Sequence, residues 1–243
     1  MTTICFDFGN TLKKIAVFKD GLIITSETIG DLTEEKLLAL INKYKPQKSI
    51  LSSVINHEEF IELILSQNTN FKKLTSKTSL PFTTPVSKPE TIGADRLALC
   101  AAAIRIFPES NNLIISLGSC ITYNFINKYH QFLGGSISPG MEMRLKSLNV
   151  FTAKLPLVAA DWNFPLLGYD TRTNILSGVL LGMTKEIDGI IDEYAMKYSN
   201  FNVLLTGGDV TNFARHLKNK IFADPQLIFK GLYAISEYDD TKT

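Results

Sequence analysis

Two stretches of one build, 3–17 (TICFDFGNTLKKIAV) and 112–125 (NLIISLGSCITYNF), constrain this chain more than anything else in it. Each reads as an apolar strand, a glycine turn and an apolar return strand. In the first, Ile4, Phe6 and Phe8 alternate with Cys5 and Asp7 at a period of two, which sets Asp7 on the face opposite its apolar neighbours. Gly9 and Asn10 are expected to reverse the chain, because both tolerate the backbone angles of a tight hairpin; this leaves a carboxylate beside a turn whose amides lie open. Such a turn can take a phosphate on its amides while Asp7 holds a hydrated magnesium ion. An ordinary hairpin in which Asp7 only caps the turn is the competing reading. Superposing Gly118 on Gly9 sets Ser116 on Asp7, Ser119 on Asn10 and Ile121 on Leu12, so one supersecondary unit recurs in each half.

A third glycine turn, Thr206-Gly207-Gly208-Asp209, follows an apolar strand at 202–205 and leads into a helical pattern from Val210. Two such hairpins plus a strand–glycine–glycine–helix turn resemble the superfamily of acetate and sugar kinases, heat-shock ATPases and actin. That resemblance implies an α/β fold of two related lobes, each a mixed β-sheet with flanking helices of ribonuclease H-like type, with nucleotide between them. The lobes are expected at 1–108 and 109–243. No G-x-x-x-x-G-K-[ST] and no helix-opening G-x-G-x-x-G occurs, which argues against a P-loop or a dinucleotide site.

With 243 residues, 45% hydrophobic and 20% charged, the chain has the balance of a globular protein with a substantial core. A net charge of +1 with dispersed Lys and Arg points to no nucleic-acid or membrane surface. Cys5, Cys100 and Cys120 suit buried thiols in a reducing compartment, and the scattered His57, His130 and His216 suit packing or surface positions rather than zinc. The start lacks signal-peptide character, and the longest apolar run, 97–107, is interrupted by Arg105 and too short for a bilayer. A cytoplasmic location is expected.

In chain order, Gly21 marks a turn and 22–28 a third strand. Thr33 can cap a helix with Leu37, Leu38, Ile41 and Tyr44 on one face, stopped by Pro46. A strand at 50–55, a short helix at 58–66 and an irregular Ser/Thr/Pro-rich stretch at 74–88 follow; the last reads as a loop over a site or a plain connector. At Gly93-Ala94-Asp95-Arg96 an acid and a base begin a helix side by side; the plainer alternative is an acid favouring the helix dipole next to a surface base. The small residues of 132–141 let backbone approach a ligand or another element, or only make a bend. After a break at 165–168, Thr171 opens a long helix to about Lys197, with Ile175, Val179, Met183, Ile187, Ile190 and Tyr194 at helical spacing. Gly178 and Gly182 inside it predict something packed close, either a crossing helix or a subunit interface. From Pro225 a strand and a terminal helix are expected, and the closing DDTKT is expected to fray.

The order of motifs identifies a family. Asp7-Phe-Gly-Asn-Thr11, Ser53-Val54, Gly93-Ala-Asp-Arg96, Gly134-Gly-Ser-Ile-Ser-Pro-Gly140, Thr152-Ala-Lys-Leu-Pro156, Gly168-x-x-Thr171, Thr206-Gly-Gly-Asp209 and the run from Pro225 to Leu232 together resemble type III pantothenate kinase over nearly the whole chain. The resemblance implies ATP-dependent phosphorylation of pantothenate, the first step of coenzyme A synthesis, by a homodimer using magnesium and potassium or ammonium. It implies Asp95 as the base, with Gly93, Ala94, Asp95, Arg96 and Thr171 binding substrate, Arg96 on the carboxylate and Thr171 across the dimer interface. It implies ATP on Asp7, Phe8, Gly9, Asn10, Thr11, Leu12, Lys13, Lys14, Ser119, Gly207 and Gly208, and cations at Asp7 and Ser116.

Three positions depart from the family: Ser116 and Asn124 stand where it has acids, and Val86 where it has Tyr. Two unit charges 4 Å apart interact by about 4 kcal/mol at an effective dielectric near 20, so the missing acids imply a changed cation requirement. A catalytically silent regulatory or accessory relative, or a kinase of another small hydroxy acid, is the alternative.

Overall fold

The computed structural model describes residues 1–238; the expected fraying of the final DDTKT falls outside them. The chain forms two compact units, one from 1–109, 126–133 and the stretch from Gln226, the other from 110–125 and 134–225.

The first sheet has the order β3-β2-β1-β4-β5, with β1 at Thr2–Phe8, β2 at Lys13–Lys19, β3 at Leu22–Ile29, β4 at Lys48–Ser53 and β5 at Asn70–Lys73. β1 is central, antiparallel to β2 and parallel to β4. The alternation in β1 sorts its side chains as expected: Ile4, Phe6 and Phe8 join a buried cluster with Leu37 and Ile41 of helix α1 (Glu34–Tyr44) and Ile61 and Leu65 of helix α2 (Glu59–Asn68). Thr33 caps α1 through its hydroxyl (3.3 Å from the Lys36 amide), and the helix ends at Lys45 in the left-handed conformation before Pro46. Leu38 faces outward, 41% exposed, because it lies 100° from Leu37; Leu40 packs inward instead. β4 begins two residues earlier than expected, and β5 was not expected at all: four residues with two lysines carry little apolar signal.

The second sheet has the order β10-β9-β6-β7-β8, with β6 at Asn111–Leu117, β7 at Cys120–Ile126, β8 at Phe132–Pro139, β9 at Phe201–Thr206 and β10 at Phe222–Ala223. Read from β8, the order 8-7-6-9-10 reproduces 3-2-1-4-5. The correspondence reaches single residues, since Asp7 lies opposite Ser52 on β4 and Ser116 opposite Thr206 on β9, both in parallel pairs.

Helix α3, Ala94–Ile106, packs against the terminal helix α8, Leu227–Glu237, within the first unit. Their approach is so close that a Cβ on Gly231 would fall inside the Ala98 carbonyl. The strand expected from Pro225 is absent; Phe222–Ala223 precedes the proline and α8 starts at Leu227. Between α4 (Met141–Val150) and β9, the predicted long helix exists but is interrupted: α5, Thr171–Leu176, passes through a π-helical turn, Ser177–Leu181, into α6, Gly182–Lys197. Asp170 opens it with a capping box to Thr173. A Cβ on Gly178 or Gly182 would meet no atom within 4 Å, so nothing among the described residues packs closely against either glycine. Cys5 and Cys100 are buried as expected, and Cys120 is half-buried. No helix among the described residues is long and apolar enough to cross a membrane.

Candidate active site

In the first unit, β1 and β2 join through residues 9–12, a longer turn than the two-residue hairpin expected. The Gly9 amide donates to the Leu12 carbonyl (3.0 Å), so it is spent on closing the loop, while Asn10, Thr11 and Leu12 form an exposed tip. Neither Gly9 nor Asn10 has a positive φ, because four residues share the reversal that two would have to make. Phe8 lies beneath: Lys13 sits over its ring (5.6 Å) and His57 meets it edge-on (5.7 Å). His57 is a packing residue, bonded to Ser53 Oγ (3.1 Å) and Glu62 Oε1 (2.8 Å).

Asp7 pairs with Lys14 across β1–β2 and with Ser52 across β1–β4, so the three side chains form a row on one face. Asp7 is raised to about 6, chiefly by burial and then by the charge of Asp95, with Lys14 pulling the other way. Asp95 is raised by burial too, against hydrogen bonds from the backbone amides of Arg96 and Asp95 and the Arg96 charge. The two acids thus lie within electrostatic reach of each other, although 88 residues separate them in sequence. Gly93 makes the corner possible, since a Cβ there would sit 2.5 Å from Asp95 Oδ1. Ala94 is buried, and Arg96 stacks over Phe132 at 5.5 Å. Oxygen donors from one or two carboxylates suit a hard divalent ion that keeps part of its water. Among the described residues no group of three or more His, Cys, Asp or Glu forms a self-sufficient metal cage.

In the second unit, β6 and β7 join through Gly118 and Ser119 alone, and other turns clamp this tip on two sides. The Gly140 amide donates to the Ser119 carbonyl (3.1 Å) and the Asp209 amide to the Leu117 carbonyl (3.1 Å). A Cβ on Gly140 would enter the Gly118 carbonyl, and one on Gly207, whose φ is +102°, would enter that of Leu117. Ser119, Gly207 and Gly208 are thereby brought to one place. Ser116 sits where Asp7 sits in the other sheet. Asn124 is fully buried, its amide nitrogen donating to Ile114 O (3.4 Å) and Thr122 Oγ1 (3.2 Å). Thr171 lines a separate groove of about 620 Å³ with Arg144, Ser147, Asn174 and Gly178. Arg144 is held there by Ser138 Oγ (2.8 Å), the Pro139 carbonyl (2.8 Å) and an ion pair with Glu186. Sequence reasoning missed this anchor, whose partner Glu186 is an ordinary helical acid 42 residues away.

A profile of the type III pantothenate kinase family matches residues 3–193. The chain belongs to this family. The type III pantothenate kinase of Cytophaga hutchinsonii is 42% identical over 236 residues, which cover 97% of this chain and 99% of that one. Among solved structures, a Campylobacter jejuni protein assigned to the Baf family of transcriptional activators superposes with a TM-score of 0.59 at 22% identity, covering 96% of each chain. Component A of (R)-2-hydroxyglutaryl-CoA dehydratase from Acidaminococcus fermentans reaches 0.51 at 12% identity, covering 97% of this chain and 96% of that one. These two likenesses concern the fold, which is the duplicated α/β architecture of the actin-like ATPases and sugar kinases. Family membership makes the chain an ATP-dependent phosphotransferase.

Proposed function

We propose that this member of the type III pantothenate kinase family transfers the γ-phosphoryl group of ATP to the primary hydroxyl of pantothenate, in the cytoplasm, as the first step of coenzyme A synthesis. The observation that carries the reading is the corner Gly93–Arg96, whose Asp95 is itself mostly buried and whose charge bears on Asp7 at the first hairpin. Phosphoryl transfer needs positioning and charge neutralisation more than covalent chemistry, and this corner offers both.

Asp95 accepts the proton of the attacking hydroxyl; its raised pKa makes it a better base than a solvated carboxylate. Arg96, steadied against Phe132, offers two parallel donors to the pantothenate carboxylate, with Gly93 and Ala94 shaping the approach. Asp7 would hold Mg2+, which would neutralise charge on the phosphoryl oxygens. In the first unit Gly9, Asn10 and Thr11 cradle the phosphates of ATP with Lys14 assisting, and Phe8, Leu12 and Lys13 also bind ATP; in the second unit Ser119 binds ATP, and Gly207 and Gly208 lie near its adenosine. Ser116 offers a monovalent cation, K+ or NH4+, a neutral hydroxyl in place of an acid. The amide of Asn124 is committed to its strand neighbours, which leaves Ser116 as the sensitive position.

The working form is a homodimer in this reading. Open space at Gly178 and Gly182 and the exposed Phe151, Leu167 and Tyr169 support it, with Thr171 presented to the partner's substrate. The test follows ATP-dependent phosphorylation of pantothenate by the purified protein with Mg2+, with and without K+ or NH4+, alongside Asp95→Asn. We expect turnover that falls about 10²–10⁴-fold in the variant. A folded dimer with no turnover under any cation would instead identify a silent relative or a kinase of another hydroxy acid.

A further inference from the structure

Ser52 is 1% exposed and its hydroxyl has no hydrogen-bond partner. Leaving a buried hydroxyl unpaired costs free energy, and native interiors avoid it unless something else supplies the partner. Its place in the sheet indicates what that is. Ser52 is the parallel register partner of Asp7, one strand over on the same face, so about 4.8 Å separates the two backbones. The next residue, Ser53, is different: its hydroxyl is committed to the Ile55 carbonyl (2.8 Å) and to His57. The corresponding residue of the second sheet is Thr206, also buried and also a hydroxyl, opposite Ser116. Thr3 Oγ1 is likewise unpartnered, but it lies two rows back along the same face, away from both acids.

We infer that Ser52 is a positioning residue of the cation site, its hydroxyl bonding a water carried by the divalent ion on Asp7. The inference rests on Asp7 being the cation ligand. Asp7 contributes charge; Ser52, across the strand gap, fixes the orientation of the hydrated ion. A magnesium ion that keeps most of its water is bound largely through such outer contacts, so one hydroxyl has leverage on affinity.

The test titrates Mn2+ into the full-length protein, with and without ADP, reading free Mn2+ by electron paramagnetic resonance. Ser52→Ala is expected to weaken Mn2+ binding about tenfold, the scale of a hydrogen bond in a charged setting. Ser52→Thr, which supplies the hydroxyl side chain that Thr206 has in the second sheet, restores it. The melting temperature of ligand-free Ser52→Ala stays at or above that of the parent, because the lost hydroxyl had no protein partner. Unchanged Mn2+ affinity in Ser52→Ala overturns the inference, with or without a fall in melting temperature. So does an equal weakening in an Asp7→Asn background, which would place the effect elsewhere, or a parent protein that binds no Mn2+. Ser52-dependent Mn2+ binding in a protein that fails to phosphorylate pantothenate would sink the substrate assignment and leave this inference standing.

Discussion

The hairpins β1–β2 and β6–β7 occupy the same place in two sheets of the same strand order, yet they are built for different work. The first keeps a loose four-residue tip and concentrates charge below it: Asp7, Lys14 and, from α3, Asp95. The second has a two-residue tip and Ser116 in place of the acid, and it is gripped by Gly140 on one side and Gly207 to Asp209 on the other. Duplication preserved the frame because the frame is backbone pairing and apolar alternation. Charge could diverge because a side chain at a strand end contributes little to either. One copy therefore carries the electrostatics, and the other offers closely packed backbone.

Exchanging or removing the distinguishing groups breaks this contrast. The largest effect is expected from Asp7→Asn, which should lower phosphoryl transfer by at least about 10²-fold, read by steady-state kinetics. The same variant should gain stability. The folded pKa of Asp7 lies near 6 against an ordinary 3.8, so between these values the native state holds a proton that the unfolded chain has released. Stability from this group is present below about pH 4 and lost as pH rises through about 6. Ligand-free Asp7→Asn should accordingly be more stable than the parent at pH 8, by roughly 1–3 kcal/mol in urea denaturation, and equal to it at pH 4.

Next come the glycines. Gly207→Ala forces a positive φ and a clash with the Leu117 carbonyl, and should cost about 2–4 kcal/mol. Gly9→Ala meets only the Leu12 carbonyl at 3.4 Å and should cost under about 1 kcal/mol. Equal losses in thermal melts would erase the distinction between a clamped and an open tip. The smallest effect is expected from Ser116→Asp, which restores the acid to the second copy. Its potassium or ammonium requirement should shift about tenfold in half-saturating concentration; identical cation dependence would show that the second tip is electrostatically idle.

Much of this was legible in the residues. Ile4, Phe6 and Phe8 against Asp7 is a period-two pattern that survives folding, since a strand in a sheet has only two faces. Gly93-Ala94-Asp95-Arg96 ahead of an apolar run announced a helix start, and local sterics made it one. The two-residue turn expected at Gly9 and Asn10 is too tight, because loop length is set by where the two strands register, Phe8 opposite Lys13, and composition does not reveal that. A helical glycine marks close packing, by a crossing helix or by a subunit interface; among the described residues nothing packs on Gly178 or Gly182, which bears only on the first of these.

The sequence alone determined the duplicated strand–turn–strand units, the acid at the first tip and the motif order of the family, because each depends on neighbours a few residues apart. Tertiary structure decided that the charge of Asp95 bears on Asp7, that Ser52 lies beside it without a partner, and that α8 returns to pack on α3 through Gly231. Those are relations between residues tens to more than a hundred positions apart. They exist only once strand pairing and helix packing have closed the chain on itself, and no local pattern encodes which face will meet which.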